Sequence, residues 1–234
     1  MKIDLNADLG ESWPRWTSGE DVALLDVVTS ANICCGAYAG DVGLMQATCE
    51  AAVARGVSIG AQVGYPDRET FGRARFEISA ADLSREVTHQ IRLLDEIARS
   101  FGTQVSYVKP HGALYNRIVD DEVQARAVVD GLLGLPLMGL PRSVSLTIAE
   151  AAGIPVIHEG FADRAYTPEG RLVARTEPGA VLGDAAEVAA QAVRLLGQVA
   201  SVCVHSDSPG ALELARGIST ALESAGAELQ SATP

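Results

Sequence analysis

The chain has 234 residues, 47% of them hydrophobic and 21% charged, which is enough for a sizeable core and excludes disorder as the main state. Eighteen basic residues against 30 acidic ones leave a formal net charge of −12. That balance excludes a nucleic-acid binder, argues against adsorption to anionic membranes, and leaves a small anionic ligand admissible.

The basic residues are almost all arginine. The two lysines are Lys2, beside the start, and Lys109, the only lysine inside the fold. Charge is also uneven. Residues 61–120 hold eight basic and eight acidic groups, whereas residues 1–60 hold three and eight. The opening residues run directly into a strand-like acidic segment rather than a secretory signal. No apolar run reaches the ~20 residues of a membrane span. Cys34, Cys35, Cys49 and Cys203 show no CxxC spacing. Reduced thiols and a cytoplasmic location are expected.

Short apolar runs alternate with longer amphipathic ones. Residues 2–5 read as a strand, 20–28 as a helix, 30–35 as a strand, and 41–55 as an Ala-rich helix ending at Gly56. A third strand is expected at 57–62, followed by a turn-rich loop over 64–77 with three arginines. Ser79 opens a long helix, with Asp82 in its first turn, that stops near Gly102. Then come a strand (105–109), a helix (120–132), a weak strand broken by Pro136 (135–138), a helix (141–152) and a strand (154–158). A loop over 160–178, a helix near 184–199, a strand (201–205) and a helix (209–226) complete the series, with a frayed tail at 230–234. About seven strand–helix units imply parallel strands joined by right-handed crossovers. Nothing divides the chain, so residues 1–234 are expected to form one domain.

Active sites of parallel α/β folds lie at the carboxyl ends of the strands. Polar residues gather there from six ends: Asn6, Asp8 and Glu11; Asn32, Cys35 and Tyr38; Gln62; Lys109 and His111; His158, Glu159, Asp163 and Arg164; His205 and Asp207. Six ends feeding one site suit a closed seven-stranded β/α barrel better than a flat sheet. The fourth histidine, His89, falls mid-helix and is expected in solvent. There is no GxGxxG after the first strand and no GxxxxGK[ST].

Several long motifs then become recognisable in collinear order: Asp4-Leu5-Asn6-Ala7-Asp8-Leu9-Gly10-Glu11, Ser30-Ala31-Asn32-Ile33 with Cys35-Gly36, Gly64-Tyr65-Pro66-Asp67, Phe71-Gly72-Arg73, Lys109-Pro110-His111-Gly112-Ala113-Leu114-Tyr115-Asn116, Phe161-Ala162-Asp163-Arg164-Ala165-Tyr166, and Pro178-Gly179-Ala180-Val181. Together they resemble the LamB/YcsF family, the A subunits of bacterial 5-oxoprolinase. The resemblance implies a β/α barrel akin to the glycoside hydrolase/deacetylase superfamily. It also implies ATP-dependent opening of 5-oxoproline to glutamate in complex with B and C subunits, with ATP and its Mg on this chain or on a partner. A homo-oligomer is left open. The chain departs from the family pattern at Tyr38 and Gln62, where histidines are usual, and the stretch near 197–201 looks shorter than usual. Tyrosine and glutamine are poor zinc-type ligands, so no catalytic metal is expected.

Opening a lactam calls for a base beside the attacking water, donors for developing charge, and cations for the substrate's carboxylate or a phosphate. Asp8, Lys109 and His111 are the candidate catalytic residues. Lys109 is pictured neutralising a phosphoryl or carboxylate oxygen, and His111 acting as acid or base. Candidates for binding substrate are Asn6, Glu11, Asn32, Tyr38, Gln62, Arg73, Glu159, Asp163, Arg164, His205 and Asp207. Plainer readings stand beside these: a solvated Glu11, Arg75 paired with a loop carboxylate, His158 as a core histidine, and Cys35 as a buried small hydrophobe rather than a nucleophile. Two competing functions follow, a non-catalytic metabolite-binding homologue and a metal-assisted deacetylase-like amidase.

Overall fold

The structure is a computed structural model, and residues 1–233 are described. In chain order the elements are β1 (Lys2–Leu9), α1 (Trp13–Ser18), α2 (Glu20–Leu25), β2 (Ser30–Cys34), α3 (Val42–Val53), β3 (Ser58–Val63), α4 (Ala80–Ser100), β4 (Tyr107–Pro110), α5 (Gly112–Arg117), α6 (Glu122–Asp130), β5 (Leu137–Gly139), α7 (Val144–Ala151), β6 (Val156–Phe161), α8 (Ala185–Leu195), β7 (Ser201–Val204), α9 (Ala211–Ser224) and β8 (Glu228–Leu229). Strands β1 to β7 pair in parallel in sequence order. β1 pairs with both β2 and β7, which closes a seven-stranded barrel, and β8 adds to β1. The helices form the outer layer, as the alternating pattern requires.

Local chemistry fixes the helix starts. Asp41, Ser79, Asp121, Ser143 and Asp184 each accept, through the side chain, a backbone N–H three residues on. Outward-facing strand residues such as Leu5, Ala7, Ile33, Ile59, Ala61, Val108, Val202 and Val204 join the helix faces in one continuous apolar core. Inward-facing residues of β1 to β4, β6 and β7 are largely polar instead: Asp4, Asn6, Asp8, Ser30, Asn32, Gln62, Lys109, Glu159 and Ser201, all buried. The interior is therefore held by hydrogen bonds and charge pairing.

Several expectations are corrected. β1 continues to Leu9, because Asn6 and Asp8 point inward and break the apolar pattern without ending the strand. β6 runs on to Phe161, so Glu159 lies inside the barrel rather than at its rim. His158 is half-buried, on the alternate side of the strand from Glu159, and is not a core residue. The short helices α1 and α5 and the two-residue β8 lack a periodic signature. The tail is not frayed over 230–233: Gln230 N–H donates to the Ile3 carbonyl, and the Ser231 and Thr233 hydroxyls bond to Ser30 and Ser58. Pro234 lies outside the described residues. No helix is long and apolar enough to cross a membrane among those described.

Candidate active site

A cavity of about 840 Å³ opens where β1, β4, β6 and β7 end. Asp8, Lys109, His111, Phe161 and His205 line it, with arginines from two loops at its mouth. Its size lies within the ordinary range for small-molecule sites.

Lys109 is the central charge. Its Nζ lies 2.7 Å from Glu159 Oε1, 3.1 Å from Asp8 Oδ1, 3.1 Å from Asn6 Oδ1 and 3.0 Å from Cys203 Sγ. An ammonium has three N–H bonds, so these neighbours use all of them. The expected direct contact with a substrate anion is replaced by a different task. Burial works against the charge of Lys109, but Asp8 and Glu159 hold its pKa well above the ordinary lysine value. In return Lys109 keeps Asp8 ionised. Burial pushes the Asp8 carboxyl up, but Lys109 first, then His205 and His111, with the 2.8 Å hydrogen bond from Asn32, outweigh it and hold Asp8 well below the usual carboxylate range. Asp8 Oδ2 accepts no hydrogen bond from the described residues, and Asp8 lines the cavity.

A second unit stands at the ends of β6 and β7, on the strand next to Asp8. His205 Nδ1 lies 3.0 Å from Asp163 Oδ1, and Asp163 also accepts from Ser208 Oγ and from the His205 backbone N–H. Burial pushes the Asp163 carboxyl up, but His205 and these hydrogen bonds bring it below the ordinary value. An ionised Asp163 makes Nδ1 the protonated nitrogen and leaves Nε2 for a ligand. Phe161 stacks on the imidazole, with ring centroids 5.3 Å apart.

His111 stacks on Tyr38 with centroids 4.0 Å apart and 8° between planes, and Phe71 packs edge-on against both. Burial lowers the His111 pKa to about 3. Glu11 is buried, not solvated, with Oε1 4.0 Å from His111 Nε2. Burial first, then Asp8 and Asp207, push its carboxyl well above the ordinary value. Neither group is an ionic partner for the other.

The loop over 64–77 folds onto this pair. Ala113 N–H bonds to the Gly72 carbonyl, and a Cβ at Gly112, where φ is +55°, would come within 2.5 Å of the Gly72 carbonyl oxygen. Only glycine permits that approach. At the mouth, Arg73 Nη2 and Arg175 Nη1 both reach Asp207 Oδ2, at 2.6 and 3.4 Å. Arg75 pairs with Glu77 instead. Arg164 holds the loop after β6 through the Ala180 and Val173 carbonyls.

The remaining candidates are placed as follows. Asn6 and Asn32 brace Lys109 and Asp8 from below, and Gln62 and Tyr38 are buried beside the cavity wall. Cys35 faces away from the barrel interior, its thiol donating to the Ile33 carbonyl and pushed up by burial, so it is no nucleophile. His89 is exposed. Phe161, Arg175, Cys203 and Ser208 also belong to the site. An apolar ring, a loop arginine, a lone thiol and a lone hydroxyl carry no chemical signal by themselves, and only the closed fold brings them to the site. A zinc-type ion does not fit this donor set: a phenol stacks on His111, a carboxamide lies in register with Lys109, and no three His, Cys, Asp or Glu side chains group as ligands among the described residues.

The LamB/YcsF family profile matches residues 3–234. A curated relative from Streptomyces avermitilis, named as the A subunit of 5-oxoprolinase, is 52% identical over 96% of this chain and 97% of its own. The crystal structure of a lactam utilization protein from Thermus thermophilus is 36% identical and superposes with a TM-score of 0.91, covering 98% of this chain and 99% of that one. A polysaccharide deacetylase from Bacillus cereus reaches a TM-score of 0.54 at 12% identity, over 99% of this chain and 92% of the other. That last likeness extends to the fold alone.

Proposed function

The chain belongs to the LamB/YcsF family, and on that footing we propose that it is the A subunit of a 5-oxoprolinase. In this reading it holds 5-oxoproline, or a related small lactam, while B and C subunits bring ATP with its Mg²⁺, and its cavity carries out the hydrolytic ring opening to glutamate. The observation that carries the proposal is the division of labour between Asp8 and the Asp163–His205 pair at one cavity. One is a carboxylate held ionised by a buried lysine. The other is an imidazole oriented by its own carboxylate. Asp8 Oδ2 orients the water that attacks the lactam carbon. His205 Nε2, whose lone pair is free, takes that water's proton and returns it to the ring nitrogen as the C–N bond breaks. Lys109 touches neither reactant and acts through Asp8. Arg73 and Arg175 offer guanidinium donors for the substrate carboxylate.

No strand-to-helix turn carries a glycine-rich phosphate loop, and the one interior lysine is committed to carboxylates. This favours a nucleotide held by the partners, and no step here passes through it. The relatives are named as A subunits, which supports a multi-component assembly. The deciding assay co-purifies the chain with its B and C subunits and measures ATP hydrolysis and glutamate release against 5-oxoproline concentration. Hydrolysis that does not depend on 5-oxoproline rejects the proposal.

A further inference from the structure

One layer of the barrel interior carries polar atoms that the fold leaves unsatisfied. Five buried carboxamides, Asn6, Asn32, Gln62, Gln90 and Gln124, allow a comparison. Asn6 accepts from Lys109 and Asn32 and donates to Glu159 and Ser201. Asn32 accepts from the Tyr107 hydroxyl and donates to Asp8. Gln90 pairs with both the N–H and the carbonyl of Gly64. Gln124 accepts from Tyr65 and donates to the Ile78 carbonyl. Gln62 alone is paired at neither end. Burying an amide this way carries a desolvation penalty that the other four avoid.

Position suggests what Gln62 is for. On β3 it lies beside Lys109 in register on one side and Cys34 on the other. Tyr38 Oη and His111 Nδ1, from the stacked pair nearby, are also buried without partners. Lys109 and His111 line the cavity, so the carboxamide sits one side chain behind its wall. It breaks no hydrogen bond in swinging forward.

A primary carboxamide presents one donor and one acceptor along a single planar edge. A small-ring lactam does the same, because the ring holds its amide cis. An open-chain amide is trans and points the two groups in opposite directions. The two edges fit as a planar pair, Gln62 Nε2–H to the lactam oxygen and lactam N–H to Gln62 Oε1. We propose that Gln62 is the specificity residue that reads the cis-amide edge of a small-ring lactam. This rests on the function proposed above for its setting, but the binding itself can be tested apart from turnover. Phosphorylation of the lactam oxygen removes one of the two bonds, so the reading belongs to the binding step. Ring opening replaces the edge with an ammonium and a carboxylate, and the product loses the match.

The test is titration calorimetry of the full chain, repeated on the co-purified complex, with 5-oxoproline and its N-methyl derivative, which lacks the N–H. The wild type is expected to bind 5-oxoproline at least about 10-fold more tightly than the N-methyl compound. In Gln62→Met, affinity for 5-oxoproline falls about 10- to 100-fold, discrimination disappears, and the melting temperature holds or rises because two unpaired polar atoms are gone. Gln62→Glu, which can only accept, is expected to weaken binding as well. Wild-type affinity and discrimination in both variants would mean that enclosed water satisfies Gln62, and would overturn the proposal. So would a wild type that binds the two compounds equally, and that arm decides the matter if neither variant folds. Absence of measurable binding to chain and complex alike overturns it too. An enzyme that turns over 5-oxoproline but does not discriminate refutes this inference and leaves the proposed function intact.

Discussion

Replacing Lys109 with methionine removes the one cation in the barrel interior and keeps an unbranched side chain of similar length. Lys109 is 2% exposed and lies 3.1 Å from Asp8 and 2.7 Å from Glu159. At an effective dielectric of about 20 those contacts are worth roughly 5 and 6 kcal/mol of attraction, most of it offset by taking three charges out of water. Removing one member of a buried pair leaves the other uncompensated, which costs about 3–5 kcal/mol. Total stabilities of domains are about 5–15 kcal/mol, so Lys109→Met should be severely weakened yet measurable by urea unfolding followed by circular dichroism. The pH dependence adds a sign. In the wild type Asp8 titrates below its ordinary value, so its contribution is present at neutral pH and is lost only as pH falls through that depressed pKa. In the variant Asp8 is buried beside Glu159 with no cation, and its pKa rises. The folded state then binds a proton that the unfolded chain does not, and stability should grow as pH falls from about 7 to about 5. A loss under about 1 kcal/mol at neutral pH, or a variant that weakens on acidification as steeply as the wild type, would refute the account of Lys109 as the counter-charge of Asp8.

Other substitutions probe separate parts of the site. Asp163→Asn leaves the His205 ring in place but no longer fixes its tautomer, and turnover of the complex should drop about 10²- to 10⁴-fold with KM for 5-oxoproline nearly unchanged; an equal loss in both parameters points to substrate binding instead. His111 has a folded pKa of about 3, below the ordinary histidine value, so the unfolded chain takes up its proton first on acidification. Its contribution is therefore complete at neutral pH and declines by about 1.4 kcal/mol per pH unit as pH falls from about 6.5 toward 3. His111→Phe, which keeps the stack on Tyr38, should flatten that acid limb in urea titrations across the window; an unchanged slope counts against a neutral buried imidazole. Gly112→Ala forces a Cβ to within 2.5 Å of the Gly72 carbonyl oxygen at φ +55°, and thermal unfolding should show a loss of about 1–3 kcal/mol. A variant as stable as wild type would mean that the loop over 64–77 is not pinned there.

Strand–helix alternation, the helix caps at Ser79 and Asp41, and the count of seven strands can be read from one dimension, because they depend on neighbours a few residues apart. The gathering of Asp8, Lys109, His111 and His205 at one end also follows from sequence, since parallel strands must all present their carboxyl ends on the same face. What each group does there was not legible. A lysine at a strand end looks available to a ligand, and only closure of β1 against β2 and β7 brings Asn6, Asp8, Glu159 and Cys203 around it from three strands. Glu11, Asp163 and Gln62 are equally polar in the sequence. Burial pushes the first well above the ordinary carboxylate value, His205 draws the second below it, and the third lacks any partner. Side-chain identity is a local property and was fixed by the sequence alone. Protonation state, orientation and pairing depend on the dielectric and on charges supplied by distant residues, such as Glu159, 153 positions from Asn6, and those are settled only when the barrel closes.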